Sequence, residues 1–170
     1  MVRICFLLVT VLIAALWTGT SAAQTSGSLL PVGQYGQLHQ DGEHCIGYEI
    51  DLWRSGAKLY GLWRSCAGLT GDHASAVLED VVYSAGSGAL SFTARLSQGS
   101  DYLGGGRQVP SQDVYTFRGR ISAGSLRGQL THTDRVYDGK GSTSAAIQLR
   151  REKAELPSYP SEAEWRSQAK

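Results

Sequence analysis

The run Ile46-Gly47-Tyr48-Glu49-Ile50-Asp51-Leu52-Trp53-Arg54, then Ser55-Gly56-Ala57, then Lys58-Leu59-Tyr60-Gly61-Leu62-Trp63-Arg64 decides the fold class. Residues alternate with period two on both sides of a Ser-Gly pair, the signature of an antiparallel hairpin. With Ser55-Gly56 as the loop, paired positions sum to 111, and this sets Cys45 directly opposite Cys66. Counted outward from Arg54 and Ala57, that rung is non-hydrogen-bonded, with Cα atoms about 4.5 Å apart, so a bridge is feasible. A cross-strand disulfide is predicted on the outward face, near one end of the hairpin. A redox couple has no support, because there is no Cys-x-x-Cys spacing.

The same alternation extends along the chain and predicts eight short strands near residues 33–39, 45–53, 58–65, 74–84, 89–97, 112–120, 125–133 and 143–150. Ser-Gly, Ala-Gly-Ser-Gly and Ala-Gly turns leave no room for the crossovers that parallel strands need. The expectation is an all-β, antiparallel meander closing into an eight-stranded up-and-down barrel, since closure removes exposed edges. A β-sandwich with the same strand count is the alternative. Near the end, Pro157 and Pro160 precede Ser161-Glu162-Ala163-Glu164-Trp165, in which Ser161 and Glu164 have capping-box spacing. They predict a short helix that either packs Trp165 on the barrel or binds a partner.

The chain has 170 residues, 42% apolar, 18% charged and with 21 glycines in no three-residue period. That is one domain, and too apolar for disorder. Arg3, the apolar run Ile4 to Trp17 and Thr18-Gly19-Thr20-Ser21-Ala22-Ala23 have the order of a signal peptide. The expected organisation is a signal peptide at 1–23, a flexible lead at 24–32, the barrel at 33–150 and a helical tail at 151–170. Export to a periplasm or beyond follows, with no stable membrane anchor left after cleavage. Arg3 is the one basic residue removed, so 15 basic residues face 15 acidic ones in the remainder. Neutrality argues against a nucleic-acid partner. Absence of asparagine, with twelve arginines to four lysines, suits a high-GC bacterial genome.

Pairing across Ala123-Gly124 makes positions sum to 247 and puts Ile121 with Leu126, Gly119 with Gly128, Phe117 with Leu130 and Tyr115 with His132 on one inward face. The glycine rung needs a large residue such as Trp63 to fill it, or it leaves a cavity. Tyr115 and His132 project inward near a barrel mouth. Strict alternation adds Glu79 to them, unless a bulge at Glu79-Asp80 turns it out. The three form a candidate lumen site capable of acid-base work or of a satisfied polar rung.

The outward faces carry a candidate partner surface. Trp53, Tyr60 and Leu62 stand among charges on the first hairpin, and Arg118, Arg120 and Arg127 on the other, with Arg120 directly opposite Arg127. His39, Asp41, Glu43 and His44 lack metal-ligand spacing and read as a solvated turn, so no metal or cofactor is expected. Leu103-Gly104-Gly105-Gly106-Arg107 lies in the longest irregular connection and reads as a rim loop, not a phosphate cradle.

Tyr83-Ser84-Ala85-Gly86-Ser87-Gly88-Ala89-Leu90-Ser91 resembles the Ser-Gly-Ser-Gly-Ala-x-Tyr loop of bacterial periplasmic inhibitors of c-type lysozyme, which are also eight-stranded barrels. The resemblance covers fewer than ten residues, and the tyrosine is Ser91 here. It implies an inhibitory loop at Ser84 to Ala89, with Ser87 entering a lysozyme cleft. The leading expectation is a non-catalytic exported binding protein for a protein partner or a small ligand. Inhibition through that loop and a lumen-sited enzyme are the alternatives.

Overall fold

In a computed structural model, residues 27–70, 73–96, 100–135 and 141–169 are described. The predicted signal peptide lies outside them. Eight strands close an antiparallel up-and-down barrel: β1 (Leu30–Asp41), β2 (His44–Ser55), β3 (Lys58–Leu69), β4 (Ala74–Ser84), β5 (Ala89–Arg95), β8 (Val114–Ile121), β9 (Ser125–Thr133) and β10 (Ser142–Arg151). Between β5 and β8, a two-stranded ribbon, β6 (Ser100–Leu103) and β7 (Arg107–Pro110), replaces the expected irregular loop. Gly105 and Gly106 take positive φ at its tip, which lets the chain reverse there. A single short helix, α1 (Glu162–Gln168), follows the barrel.

Tyr35, Ile50, Leu52, Trp63, Phe92, Phe117, Leu126 and Leu149 fill the barrel. Gly119 and Gly128 face each other as expected, but Phe117 fills their rung instead of Trp63. A Cβ on either glycine would stand 2.6 or 2.7 Å from the Phe117 ring. With both side chains removed, that ring lies flat over the rung and stacks on Phe92 at 5.2 Å.

The first hairpin turns at Gly56-Ala57, one residue later than predicted, with Ser55 paired to Lys58. Gly56 adopts φ +59°, and a two-residue II′ turn favours glycine at its first central position. Paired positions therefore sum to 113, so Cys45 faces Gly68 and Cys66 faces Gly47. The predicted bridge between Cys45 and Cys66 forms on a diagonal, with Cα atoms 5.7 Å apart. A slip of two leaves every side chain on its face, which is why the pairing survived an incorrect register. This buried disulfide points to a non-reducing compartment. Among the described residues, no helix is long and apolar enough to cross a membrane.

A second, smaller core lies outside the barrel. Trp53 and Leu62, on the outward faces of β2 and β3, are buried with Leu29 and Trp165. Trp53 Nε1 donates to the Pro157 carbonyl at 2.8 Å, and Leu29 exchanges two backbone hydrogen bonds with Tyr159. The expected flexible lead thus ends in a fully buried Leu29 and passes into β1 at Leu30, because the tail supplies its partners. Ser161 caps α1 as predicted, accepting from the Glu164 backbone N–H at 3.2 Å.

Closure between β1 and β10 is narrow. Only Tyr35 with Arg151 and Gly36 with Arg150 are in register. Arg151 pins this seam by donating to the Val32 carbonyl at 2.8 Å and lying over the Tyr35 ring. Beyond Gly36 the two strands part, leaving a cleft of about 490 Å³ lined by Gln37, Leu38, Ala146 and Gln148 among others.

Candidate functional site

The two ends of the barrel differ. Tight turns at 56–57, 85–88 and 122–124, with both flanking tails, close one end. The other end carries the β6–β7 ribbon, the β9–β10 connection, the disulfide and all four histidines of the chain: His39, His44, His73 and His132. Inward positions there are wet, as Ile46, 64% exposed, shows.

Beneath this open end lies an aromatic and polar cluster. Tyr115 pairs directly with His132 across β8 and β9, as predicted, and their rings stack at 4.6 Å. Tyr115 also packs against Trp63 at 5.5 Å and Tyr48 at 5.6 Å, and its hydroxyl lies 3.2 Å from Ser65 Oγ. Asp113, just before β8, brings a carboxylate to 3.0 Å from His132 Nε2. At that distance Asp113 is the partner of the His132 ring. The Trp63 indole N–H, fully buried, has no hydrogen-bond partner. Burial, with Asp113 adding to it, pushes the Tyr48 phenol above its ordinary range.

Glu79 does not join this cluster. A bulge between Glu79 and Val82, with Asp80 at φ +50°, turns Glu79 outward to pair with Arg95 at 3.0 Å. An ionised carboxylate inside the apolar half of the barrel would lose far more solvation than the bulge costs. Asp113 supplies the acid instead. Its signal was available: Asp113 falls within the predicted strand at 112–120, two residues before Tyr115 and so on the same inward face, but only Glu79 was singled out as the acid.

Trp53, Tyr60 and Leu62 are not a free recognition surface, because α1 covers them. Trp165 lies 5.7 Å from Tyr60, and burial followed by a hydrogen bond to Glu162 raises the Tyr60 phenol. Arg118, Arg120 and Arg127 do remain exposed, and Arg120 faces Arg127 with no carboxylate paired to either among the described residues. Ser84 ends β4, and the following turn keeps Ser87 exposed, with its hydroxyl accepting from the Ala89 N–H at 3.2 Å. His39, Asp41, Glu43 and His44 are exposed around the β1–β2 turn.

On the outer face of β2 and β3, Arg64 spans Glu49 and Asp51, reaching the nearly buried Asp51 at 2.6 Å, and Gln34 donates to both carboxylates. The acids hold Arg64 charged despite its burial. Set between the two cores, this network reads as structural.

Comparison of the chain with protein-family models, with curated proteins and with solved structures finds no match to any of them.

Proposed function

We propose that this protein is an exported bacterial binding protein that takes a small planar ligand at the open end of its barrel. One observation carries the reading: the fully buried Trp63 N–H lacks a hydrogen-bond partner within this aromatic cluster. A buried polar group left unpaired costs about 1–3 kcal/mol, which a ligand with a suitable acceptor recovers. Tyr48, the half-buried tyrosine of the cluster, offers a ring for it, and Asp113 favours a neutral or cationic ligand over an anion. The parting of β1 from β10 provides a lateral approach. The test is a thermal-shift and tryptophan-fluorescence screen of small planar compounds against the wild type, Tyr48→Ala and His132→Ala. The expected result is a ligand class whose binding both variants weaken at least tenfold. Absence of any binder, or binding indifferent to both substitutions, overturns it.

A second reading, proton-transfer catalysis by Tyr115 and His132, is favoured by the nearby Asp113 carboxylate. Its mark is turnover of a bound ligand that His132→Ala abolishes.

A further inference from the structure

We propose that Cys45, Cys66 and His73 form a redox-gated zinc site on the rim of the open end, bridged by sulfur when oxidised and by Zn²⁺ when reduced. The two Sγ atoms and a His73 ring nitrogen all lie within 4.8 Å of one another. His73 Nε2 is 3.7 Å from Cys45 Sγ. In tetrahedral zinc, with bonds of about 2.3 Å to sulfur and about 2.0–2.1 Å to nitrogen, donor atoms stand roughly 3.5–3.8 Å apart. The histidine is already at that spacing. The sulfurs sit on diagonal positions, each facing a glycine, and a Cβ on Gly68 would meet nothing within 4 Å. The open space lies on the Cys45 side, opposite Gly68, whereas a Cβ on Gly47, opposite Cys66, would meet the Gln37 carbonyl, so the Cys45 sulfur is the one with room to move away.

The reduced state also has a partner waiting. The Leu69 carbonyl lies 3.6 Å from Cys45 Sγ and 3.8 Å from Cys66 Sγ, placed to accept from either thiol once the bond is cut. Reduction by a dithiol transfers two electrons and two protons to the bridge, giving two thiols while the dithiol becomes a disulfide. Zn²⁺ then displaces both thiol protons to solvent, and two thiolates balance its charge in a site too buried to hold a net charge cheaply. His73, half-buried, supplies the third donor, and the fourth position opens to water on its side. Two sulfurs and an imidazole select zinc over magnesium or calcium. The same two strands are tied in either state, so the rim keeps its shape when the disulfide is lost.

The experiment is a Zn²⁺ titration of the full chain, reduced with a water-soluble phosphine and compared with the oxidised protein, by competition against a chromogenic chelator. One equivalent should bind to the reduced protein and none at comparable affinity to the oxidised one. His73→Ala should weaken binding about 10–100-fold, and Co²⁺ should give thiolate charge-transfer absorption with the intense visible bands of a tetrahedral centre. Zn²⁺ binding that is absent after reduction, unchanged by His73→Ala or retained in Cys45→Ser/Cys66→Ser overturns the proposal. Loss of the native circular-dichroism signal on reduction that Zn²⁺ does not restore also overturns it.

Discussion

The rings of Trp165 and Trp53 lie 5.7 Å apart, one from the terminal helix and the other from the outward face of β2. This contact turns an exposed aromatic hairpin into the floor of a second core. Trp165 is 1% exposed, so Trp165→Ala should destabilise the protein by about 3–5 kcal/mol. Chemical denaturation measures the loss, and binding of a hydrophobic dye at the uncovered Trp53 and Leu62 should accompany it. A cost below about 1 kcal/mol would mean that the helix is a loosely held tail.

Arg64 is the only cation that Asp51 meets among the described ion pairs. Removing it by Arg64→Met strands a carboxylate that is 2% exposed. The expected loss is about 2–4 kcal/mol, less than for a fully buried pair because Arg64 retains some water. Adding Asp51→Asn should recover part of it, and a double-mutant cycle by denaturation reads the coupling.

Gly119→Ala drives a methyl into the Phe117 ring and the opposing strand. Overpacking of this kind costs about 1–3 kcal/mol, with the upper end expected because backbone as well as side chain must yield. Gly124→Ala, whose Cβ would meet nothing within 4 Å, is the control and should change the melting temperature little.

The bridge between Cys45 and Cys66 spans a sequence separation of 21. Chain entropy puts its worth at about 3 kcal/mol, so Cys45→Ser/Cys66→Ser, measured with a chelator present, should fold with a lowered melting temperature. An unmoved melting temperature would show that the bridge constrains an end that other contacts already hold.

Two pH limits follow from the helix contact and the buried phenols. The Arg166 hydrogen bond, above all, holds Glu162 below the ordinary glutamate value near 4.5. A depressed folded-state pKa contributes stability above the unfolded value, lost as pH falls through the folded one. Undocking of α1 should thus begin below about pH 4.5, visible in tryptophan fluorescence, and Glu162→Gln should remove that acid dependence. Burial raises Tyr35, Tyr48 and Tyr60 above the usual 10.0. Their contribution is complete below that value and declines as pH rises through their folded values, so stability should fall from about pH 10 upward.

Period-two alternation and glycine punctuation were sufficient to locate all eight barrel strands, the inward face of the hairpin at Ala123-Gly124, the outward face of the first hairpin and the cysteines that bridge. Those properties are local: a strand's two faces are set by the pleat, and they survive even the register slip at Gly56. What covers a face is not local. Trp53 and Leu62 look the same in sequence whether water, a partner or the chain's own tail lies against them, and more than 100 residues separate Trp53 from Pro157, which accepts its indole hydrogen bond. The outward turn of Glu79 has the same origin, since one bulged residue on β4 decides its face, and the cost of burying its charge acts only once the barrel has closed.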